Sequence, residues 1–453
     1  MTECIQFSFG FEALGTREIV SKFDGGTISS DGGALLLRQT DQRLNLLPRL
    51  AECFLDGRNQ KLVDHSILQM VSQRIYGLAL GYEDINDHEQ LRNDPVFGVL
   101  SGREDLKPLA GKSTLNRLEL GTGINSRYKK ITFWKEGIDE LMVSLFVESY
   151  PQAPPEIVLD IDTTDLPLHG KQEGRFFHGY YDNYCYLPLY VFCGEQVLCC
   201  RLREANRDAS AGALNEIRRI VTQIRQAWPE VKIVLRGDSG FCRNELMSWC
   251  EANQVDYLFG LAKNKRLSKI IGADLQKALE QWNKTGEPAR VFSEFSYAAK
   301  KTKKGGWDRE RRVVAKAEHI DGKENPRFVV TSLTSEECAG QPLYEQRYCE
   351  RGDMENRIKE QFSLFADRVS AESMRANQMR LYLSAMAYIL VSGLRRLGLQ
   401  GTELEQAQVS TIRTKLLKIG AQIRVTVRKV WFSMASSYPW QGLFEQVWLN
   451  LRA

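Results

Sequence analysis

Three acidic residues, far apart in the chain, occupy positions from which a fold could gather them around divalent cations. Asp162 ends the apolar run 157–162, Asp238 ends the run 233–238, and Glu355 lies in a predicted helix. Open α/β sheets bind their ligands beyond the carboxyl ends of the strands. Carboxylates that meet there repel one another unless cations neutralise them, and Mg²⁺ accepts such hard oxygen ligands. The pattern predicts two Mg²⁺ ions, replaceable by Mn²⁺, for in-line phosphodiester chemistry.

The identity of the first acid stays open at this level. Asp160 shares a strand face with Asp162 because side chains alternate along a strand, and it is the alternative ligand. Asp165 is a further candidate nearby. Each strand-end acid, taken alone, could instead cap a helix or pair with a base.

The third acid has cationic and aromatic neighbours at helical spacing. Tyr348, Arg351, Glu355 and Lys359 follow one another at intervals of three, four and four residues, which predicts one face of a helix. That arrangement suits a carboxylate that holds a metal ion while its neighbours bind phosphates. Gly352 weakens the helix by about 1 kcal/mol, so the helix could begin only after it. A solvated, salt-bridged face is the alternative interpretation.

The elements that must position these acids form a recognisable order. Residues 1–150 are predicted to be mostly helical, and the proline-rich segment 150–155 marks a boundary. Strands are then predicted at 157–162, 187–193 and 196–203, followed by a helix from 214, a strand at 232–235, a helix at 244–252 and a strand at 257–261. This order predicts an α/β sheet that starts with an antiparallel hairpin, as in ribonuclease-H-like folds.

Composition excludes several other classes. The chain has 453 residues, 43% of them hydrophobic and 26% charged, and a net charge of +4. The longest apolar stretch, 381–394, is too short to cross a bilayer, so no membrane contact is expected. The start of the chain lacks a secretory signal, and its ten cysteines form no Cys-x-x-Cys pair, which predicts reduced thiols and a cytoplasmic location. Basic blocks at 300–312 and 413–429 could neutralise phosphates or be ordinary solvated charge.

Over most of its length the chain resembles the DDE transposases of bacterial insertion sequences, which are cut-and-paste enzymes. The resemblance rests on the segments 159–164 (LDIDTT), 169–174 (HGKQEG), 236–241 (RGDSGF) and 262–264 (AKN), and on Tyr348-x-x-Arg351-x-x-x-Glu355. It implies that Asp162, Asp238 and Glu355 are the catalytic metal ligands. It also implies a ribonuclease-H-like mixed sheet interrupted by a β-rich insertion, with helical N-terminal and C-terminal regions.

The resemblance divides the chain and suggests its DNA contacts. The expected regions are 1–150, helical, for transposon-end binding; 151–265, the first part of the catalytic core; 266–335, a basic β-rich insertion; 336–372, the catalytic helix; and 373–453, helical, for DNA contact or dimerisation. The expected DNA-binding residues are Tyr348, Arg351, Lys359, Trp307, Lys303, Lys304, Arg311, Arg312 and Lys263. Trp307 could stack on an unpaired base or belong to the core of the insertion. Many relatives carry a lysine seven residues after the glutamate, where this chain has Phe362, and Lys359 is the candidate substitute.

The resemblance implies an enzyme that binds the terminal inverted repeats of its own element, cleaves the ends and joins the 3′ hydroxyls to target DNA. Holding two ends of double-stranded DNA together implies a homodimer, and the expected location is the bacterial cytoplasm, in association with the nucleoid. Two alternatives remain: a ribonuclease-H-like nuclease that joins nothing, and a non-catalytic DNA-binding regulator derived from a transposase. A carboxylate-pair hydrolase acting on sugars would leave the Tyr348, Arg351 and Lys359 stripe unexplained.

Overall fold

A computed structural model describes residues 8–121, 130–300 and 306–453. The chain divides into two compact units. One contains the described residues up to Leu118 together with Met386–Ala453, and the other consists mainly of Thr132–Ala385. The three acids of interest all belong to the second unit.

The strands of the described residues are, in chain order, β1 (Phe9–Leu14), β2 (Arg17–Ser21), β3 (Ile28–Ser29), β4 (Phe54–Asp56), β5 (Ile131–Phe133), β6 (Glu156–Thr163), β7 (Leu166–Pro167), β8 (Phe176–His178), β9 (Asn183–Tyr186), β10 (Leu189–Cys193), β11 (Gln196–Arg201), β12 (Lys232–Gly237), β13 (Val255–Gly260), β14 (Ala289–Tyr297), β15 (Arg311–Ile320), β16 (Lys323–Glu324), β17 (Arg327–Thr331), β18 (Ala421–Val425) and β19 (Val430–Met434).

The α-helices of the same residues are α1 (Leu35–Leu44), α2 (Leu46–Glu52), α3 (Ile67–Leu80), α4 (His88–Leu91), α5 (Pro95–Leu100), α6 (Lys112–Leu120), α7 (Lys135–Glu148), α8 (Ala213–Ala227), α9 (Asn244–Ala252), α10 (Lys265–Ile270), α11 (Gly272–Thr285), α12 (Gly340–Pro342), α13 (Gly352–Phe362), α14 (Met374–Gly398), α15 (Val409–Ile412) and α16 (Gln441–Asn450). Short 3₁₀ turns occupy Gly32–Ala34, Gln60–Leu62, Ile85–Asp87 and Cys349–Arg351, and π-helical turns occupy Leu343–Tyr348 and Arg413–Leu417. None of the described helices is long and apolar enough to cross a membrane.

A large mixed sheet organises the second unit. Its strands lie in the order β11-β10-β6-β12-β13-β17-β15-β14, and β16 pairs with β15 at the side. The β10–β11 and β10–β6 pairs are antiparallel, whereas β6–β12 and β12–β13 are parallel. The predicted α/β sheet and its starting hairpin are therefore present. Gly194 adopts the positive φ of 55° that the hairpin turn requires, which suits glycine.

Side-chain alternation gives this sheet two apolar faces. Along β6, Ile157, Leu159 and Ile161 join the core formed with helices α7, α8 and α9. Val158 faces the other way, in a cluster with Val234 and with Leu343 of the π-helical turn. Asp160 and Asp162 share the parity of Val158, so they point toward the segment that leads into α13.

The structure differs from the sequence prediction in two regions. Segment 266–335 contains the helices α10 and α11, and its strands β14, β15 and β17 continue the main sheet through an antiparallel β13–β17 pair. The C-terminal region is not wholly helical, because β18 and β19 form a sheet with β3. The N-terminal region is mostly helical as predicted, but it opens with the exposed hairpin β1–β2.

Candidate active site

The parallel register of β6 and β12 brings the first two acids side by side. Ile161 pairs with Gly237, so Asp162 and Asp238 are the next residues on neighbouring strands. Both line a cavity of about 550 Å³, and Glu355 of α13 lines it as well. The structure therefore brings the three predicted acids to one cavity.

Asp162 is largely enclosed, although it lines the cavity. Its side chain is 13% exposed, and its carboxylate accepts hydrogen bonds from the Thr163 amide at 2.8 Å and from Arg351 Nη1 at 3.1 Å. Burial, together with the nearby charges of Asp238 and Glu355, raises the pKa of Asp162 to about 6, against the opposing effects of the Thr163 amide and Arg351. The site therefore has an excess of negative charge that favours a bound cation.

Asp238 is half-buried, as Asp162 is, whereas Glu355 is exposed. Asp238 Oδ1 accepts a hydrogen bond from the Gly240 amide at 2.8 Å, which fixes the turn after β12. Glu355 is 53% exposed, and Arg351 Nη2 lies 3.6 Å from its Oε1. Arg351 thus lies between the first and third acids and balances part of their charge.

The donor set fits the expected ions, since all three side chains offer the hard oxygens that Mg²⁺ and Mn²⁺ prefer. A closed cage is not preformed. Within residues 8–121, 130–300 and 306–453, no three His, Cys, Asp or Glu side chains stand close enough together to hold a metal ion. Metal binding by Asp162, Asp238 and Glu355 stays a prediction.

Asp160, the alternative first ligand, is engaged elsewhere. It is buried and forms a two-pronged ion pair with Arg236, at 2.6 and 2.9 Å. Arg236 also donates to the carbonyl of Arg347 and lies 3.4 Å from Glu350. Asp160 does not line the cavity, and its ion pair instead fastens the segment before α13 to the sheet.

The backbone before Glu355 is not a regular α-helix. A π-helical turn at Leu343–Tyr348 is followed by a 3₁₀ turn at Cys349–Arg351, and α13 begins at Gly352. The Tyr348 hydroxyl reaches Gly260 at the end of β13, where an added Cβ would lie 2.5 Å from it. Glycine there makes room for the tyrosine ring, and burial raises the pKa of Tyr348.

The face of α13 after Glu355 also reaches the cavity. Lys359 and Phe362 both line it, one turn and about two turns beyond the glutamate. Lys359 is exposed, whereas Phe362 is half-buried. Lys359 therefore stands where it could supply the positive charge that Phe362 lacks.

Comparison with known proteins identifies the family. A family model described as the transposase DDE domain, group 1, matches residues 11–453. The chain belongs to this transposase family. No curated protein matches the chain. Among solved structures, a piggyBac transposase synaptic complex with hairpin DNA matches with a TM-score of 0.42 and 11% identity, over 86% of this chain and 80% of that one.

Several of the DNA contacts predicted for this transposase lie away from the cavity. Trp307 is 6% exposed and packs edge-on against Tyr297, with the ring centroids 5.6 Å apart. It occupies the core position that was the alternative to base stacking. Arg311 pairs with Glu251 at 2.6 Å, and Arg312 pairs with Glu294 at 2.8 Å. Both arginines therefore brace the second unit in this conformation.

The remaining lysines have different outcomes. Lys263 is exposed in the loop after β13, beside Asn264, whose side chain caps α10. It borders a separate depression with Lys265 and Lys269. Lys303 and Lys304 lie outside the described residues.

Sequence reasoning missed an aromatic wall of the transposase cavity. Tyr180 and Tyr181 follow β8 and line the cavity together with His178. Tyr180 is 85% exposed, and burial raises the pKa of Tyr181 to about 12. His178 follows Asp162 closely in the chain and could contact DNA or be an ordinary loop histidine, but the aromatic cluster at 176–186 has no helical period and did not predict that the two tyrosines line the cavity.

Proposed function

We propose that this chain is the transposase of an insertion sequence and that it cuts and joins DNA at the cavity of Asp162, Asp238 and Glu355. One observation carries the proposal: three carboxylates from two neighbouring strands and one helix line a single cavity with Arg351 and Lys359. The strand order β11-β10-β6-β12-β13, with its antiparallel start and parallel continuation, supports a ribonuclease-H-like core.

The three acids would hold two Mg²⁺ ions, or Mn²⁺ in their place. When bound, such ions lower the pKa of an attacking water or sugar hydroxyl and stabilise the leaving oxygen of an in-line displacement. The two aspartates are held at fixed strand ends, and Glu355 is held by a helix that the Arg236 contacts fasten to the sheet.

The cationic side chains of the cavity have a separate task. Arg351 forms ion pairs with both Asp162 and Glu355. A guanidinium can form paired hydrogen bonds with a phosphate, so Arg351 is suited to receive the backbone of the transposon end. Lys359 would add a second phosphate contact on the same helix face. We infer that both residues orient the scissile phosphate, with Tyr348 supporting Arg351.

The full proposed activity has two stages. Water first hydrolyses the strand at the element end, and the freed 3′ hydroxyl then attacks target DNA within the same cavity. Two ends must be held together, which supports a homodimer acting on double-stranded DNA in the bacterial cytoplasm. We propose that the first unit recognises the terminal inverted repeats.

The experiment is a cleavage and joining assay with the inverted repeats that flank the gene, in the presence of Mg²⁺. We expect nicked ends and strand-transfer products from the wild type, and neither from Asp238→Asn or Glu355→Gln. Asp165→Asn is the matched control, because Asp165 is a nearby acid that accepts a hydrogen bond from Asn183 at 2.9 Å and does not line the cavity.

The outcomes separate the candidate functions. Normal cutting by Asp238→Asn would refute the proposed site. Cutting without joined products would indicate the nuclease, and binding without any metal-dependent cutting would indicate the regulator.

A further inference from the structure

The hairpin β18–β19 is fixed at its base and free at its tip. Ala421 and Ile423 are buried, and β18 pairs with β3. Residues 424–429 are all exposed. The Thr426 amide donates to the Lys429 carbonyl at 2.8 Å, and the Lys429 amide donates to Thr426 Oγ1 at 3.0 Å, so the tip is an ordered turn. An ordered, projecting hairpin of this kind is small enough to enter a DNA groove.

This part of the chain is strongly basic. No Asp or Glu occurs between Glu405 and Glu445, whereas six Lys and Arg residues do. The structure separates these six into two groups. Arg413 donates to the Ala79 carbonyl, Lys418 pairs with Asp31 at 2.7 Å, and the Lys415 ammonium lies 5.1 Å from the Trp440 ring. These three stabilise the first unit.

The other three cations lie on the hairpin. In the described part of the chain, Arg424, Arg428 and Lys429 have no ion pair with an acidic side chain. Arg424 and Lys429 flank Trp431, with their charged groups 5.8 and 5.1 Å from its ring. The ring holds the two cations on the same side of the hairpin without neutralising them. The hairpin therefore presents a concentrated positive charge to solvent.

The tip also carries an apolar side chain that the fold does not use. Val427 is fully exposed, with a relative accessibility of 104%, and Val425 is 50% exposed. Single exposed apolar residues are common on protein surfaces, so Val427 is informative only because it lies between the cations of the hairpin. In the major groove, which admits a two-stranded ribbon, apolar side chains of DNA-binding proteins contact the methyl group of thymine.

We propose that the β18–β19 hairpin is a DNA-binding arm, in which Arg424, Arg428 and Lys429 contact backbone phosphates and Val427 enters the groove. The inference rests on the proposed function only for the class of partner, double-stranded DNA. The hairpin binds DNA independently of metal ions, since none of its groups is a carboxylate.

The experiment measures DNA binding by the full-length protein in EDTA, using a fluorescent duplex that contains the inverted repeat. Affinity is recorded between about 50 and 200 mM salt, because each phosphate contact contributes about 0.9 to the slope of log affinity against log salt. Arg428→Ala/Lys429→Ala is expected to make the slope less steep by about 2. Val427→Ala is expected to weaken binding by up to about tenfold with an unchanged slope, since it removes only apolar contact.

The matched control is Lys277→Ala/Lys284→Ala, which removes the same charge from exposed positions of α11. The DNA-binding arm is supported if the slope falls in the hairpin variant but not in this control, and if all variants have the thermal melt of the wild type. Equal slopes for the hairpin variant and the control would refute the DNA-binding arm, but would not bear on the proposed cleavage site. A reduced slope without any cleavage in Mg²⁺ would support the arm and refute the proposed function. A wild type that does not bind DNA would refute both.

Discussion

Two aspartates that lie two residues apart on β6 have different surroundings. Asp160 is buried in an ion pair with Arg236, whereas Asp162 lines the cavity with Asp238. The alternation of side chains along a strand placed both aspartates on one face. It could not tell which of them lines the cavity, because that depends on the ion pair of Asp160 with Arg236, 76 residues away. The sequence could therefore predict that three acids converge, but not whether Asp160 or Asp162 is the first of them.

The pKa of Asp162 leads to a stability prediction for the metal-free protein. Its folded pKa of about 6 exceeds the usual value near 3.8, so the proton favours the folded state, and this stabilisation is lost as pH rises from about 4 through about 6. Asp162→Asn removes the ionisable group and should stabilise the protein by roughly 2 kcal/mol at pH 8 and much less at pH 4.5. Denaturant unfolding in EDTA at the two pH values measures this. A variant that is less stable at pH 8 would contradict it.

Variants of the Asp160–Arg236 ion pair can distinguish its contribution to the stability of the protein from its role in positioning Glu355. Arg236→Met leaves a buried carboxylate unpaired and should cost about 3 kcal/mol or more. Asp160→Leu/Arg236→Met replaces the pair by apolar groups and should recover most of that stability. The double variant still lacks the contacts to Arg347 and Glu350, so we expect cleavage to stay at least about tenfold below wild type, equivalent to about 1.4 kcal/mol. Denaturant unfolding and the end-cleavage assay measure the two effects, and full recovery of cleavage would show that the pair does not position Glu355.

At the scale of elements, the segment 343–362 shows where helical periodicity fails. A spacing of three, four and four residues predicted one α-helical stripe, but the path passes through a π-helical and a 3₁₀ turn before α13. Such turns depend on packing against the sheet, here by Leu343 and Tyr344, and have no local sequence signal.

The two hairpins differ in how far the sequence predicts them. The hairpin β10–β11 was predictable because the residues that form its turn are adjacent in the sequence. Strands β18 and β19 were missed because five of their ten residues, Gln422, Arg424, Val425, Trp431 and Ser433, are exposed.

The exposed face of α13 gives a prediction about the absent lysine. Lys359 and Phe362 line the same cavity, so charge could be moved from one to the other. We expect Lys359→Ala to weaken binding of the transposon end, and Lys359→Ala/Phe362→Lys to recover part of the loss because the new ammonium can reach the same phosphates. Titration of a labelled transposon-end duplex with each variant in EDTA measures the affinity. Phe362→Met is the control for loss of the ring. No recovery in the double variant would show that position 362 does not reach the DNA.

At the scale of the whole molecule, the segment predicted as an insertion is part of the main sheet. β17 pairs with β13, and β15 pairs with β17, so the sheet continues without a break. Both apolar faces continue as well: Val313 and Val330 join one core, and Val314 and Val329 join the other. The sequence indicated strands here, but it could not say which strand they pair with, since pairing is a long-range property.

This continuity gives a test of how the second unit folds. Replacing residues 264–332 by a short glycine-serine linker would leave β13 as an open edge and expose Leu258, which is 1% exposed in the intact sheet. Each large apolar side chain that becomes exposed loses about 1.5–3 kcal/mol of burial free energy. Summed over the several side chains affected, this loss exceeds the usual net stability of about 5–15 kcal/mol. We therefore expect an insoluble product or one without a cooperative melt. Removal of residues 1–23 is the control, because β1 and β2 are exposed along their whole length, and that variant should melt as the wild type does. A soluble, cooperatively melting 264–332 deletion would mean that the segment is an independent insertion and that the strands from β11 to β13 form a stable sheet without it.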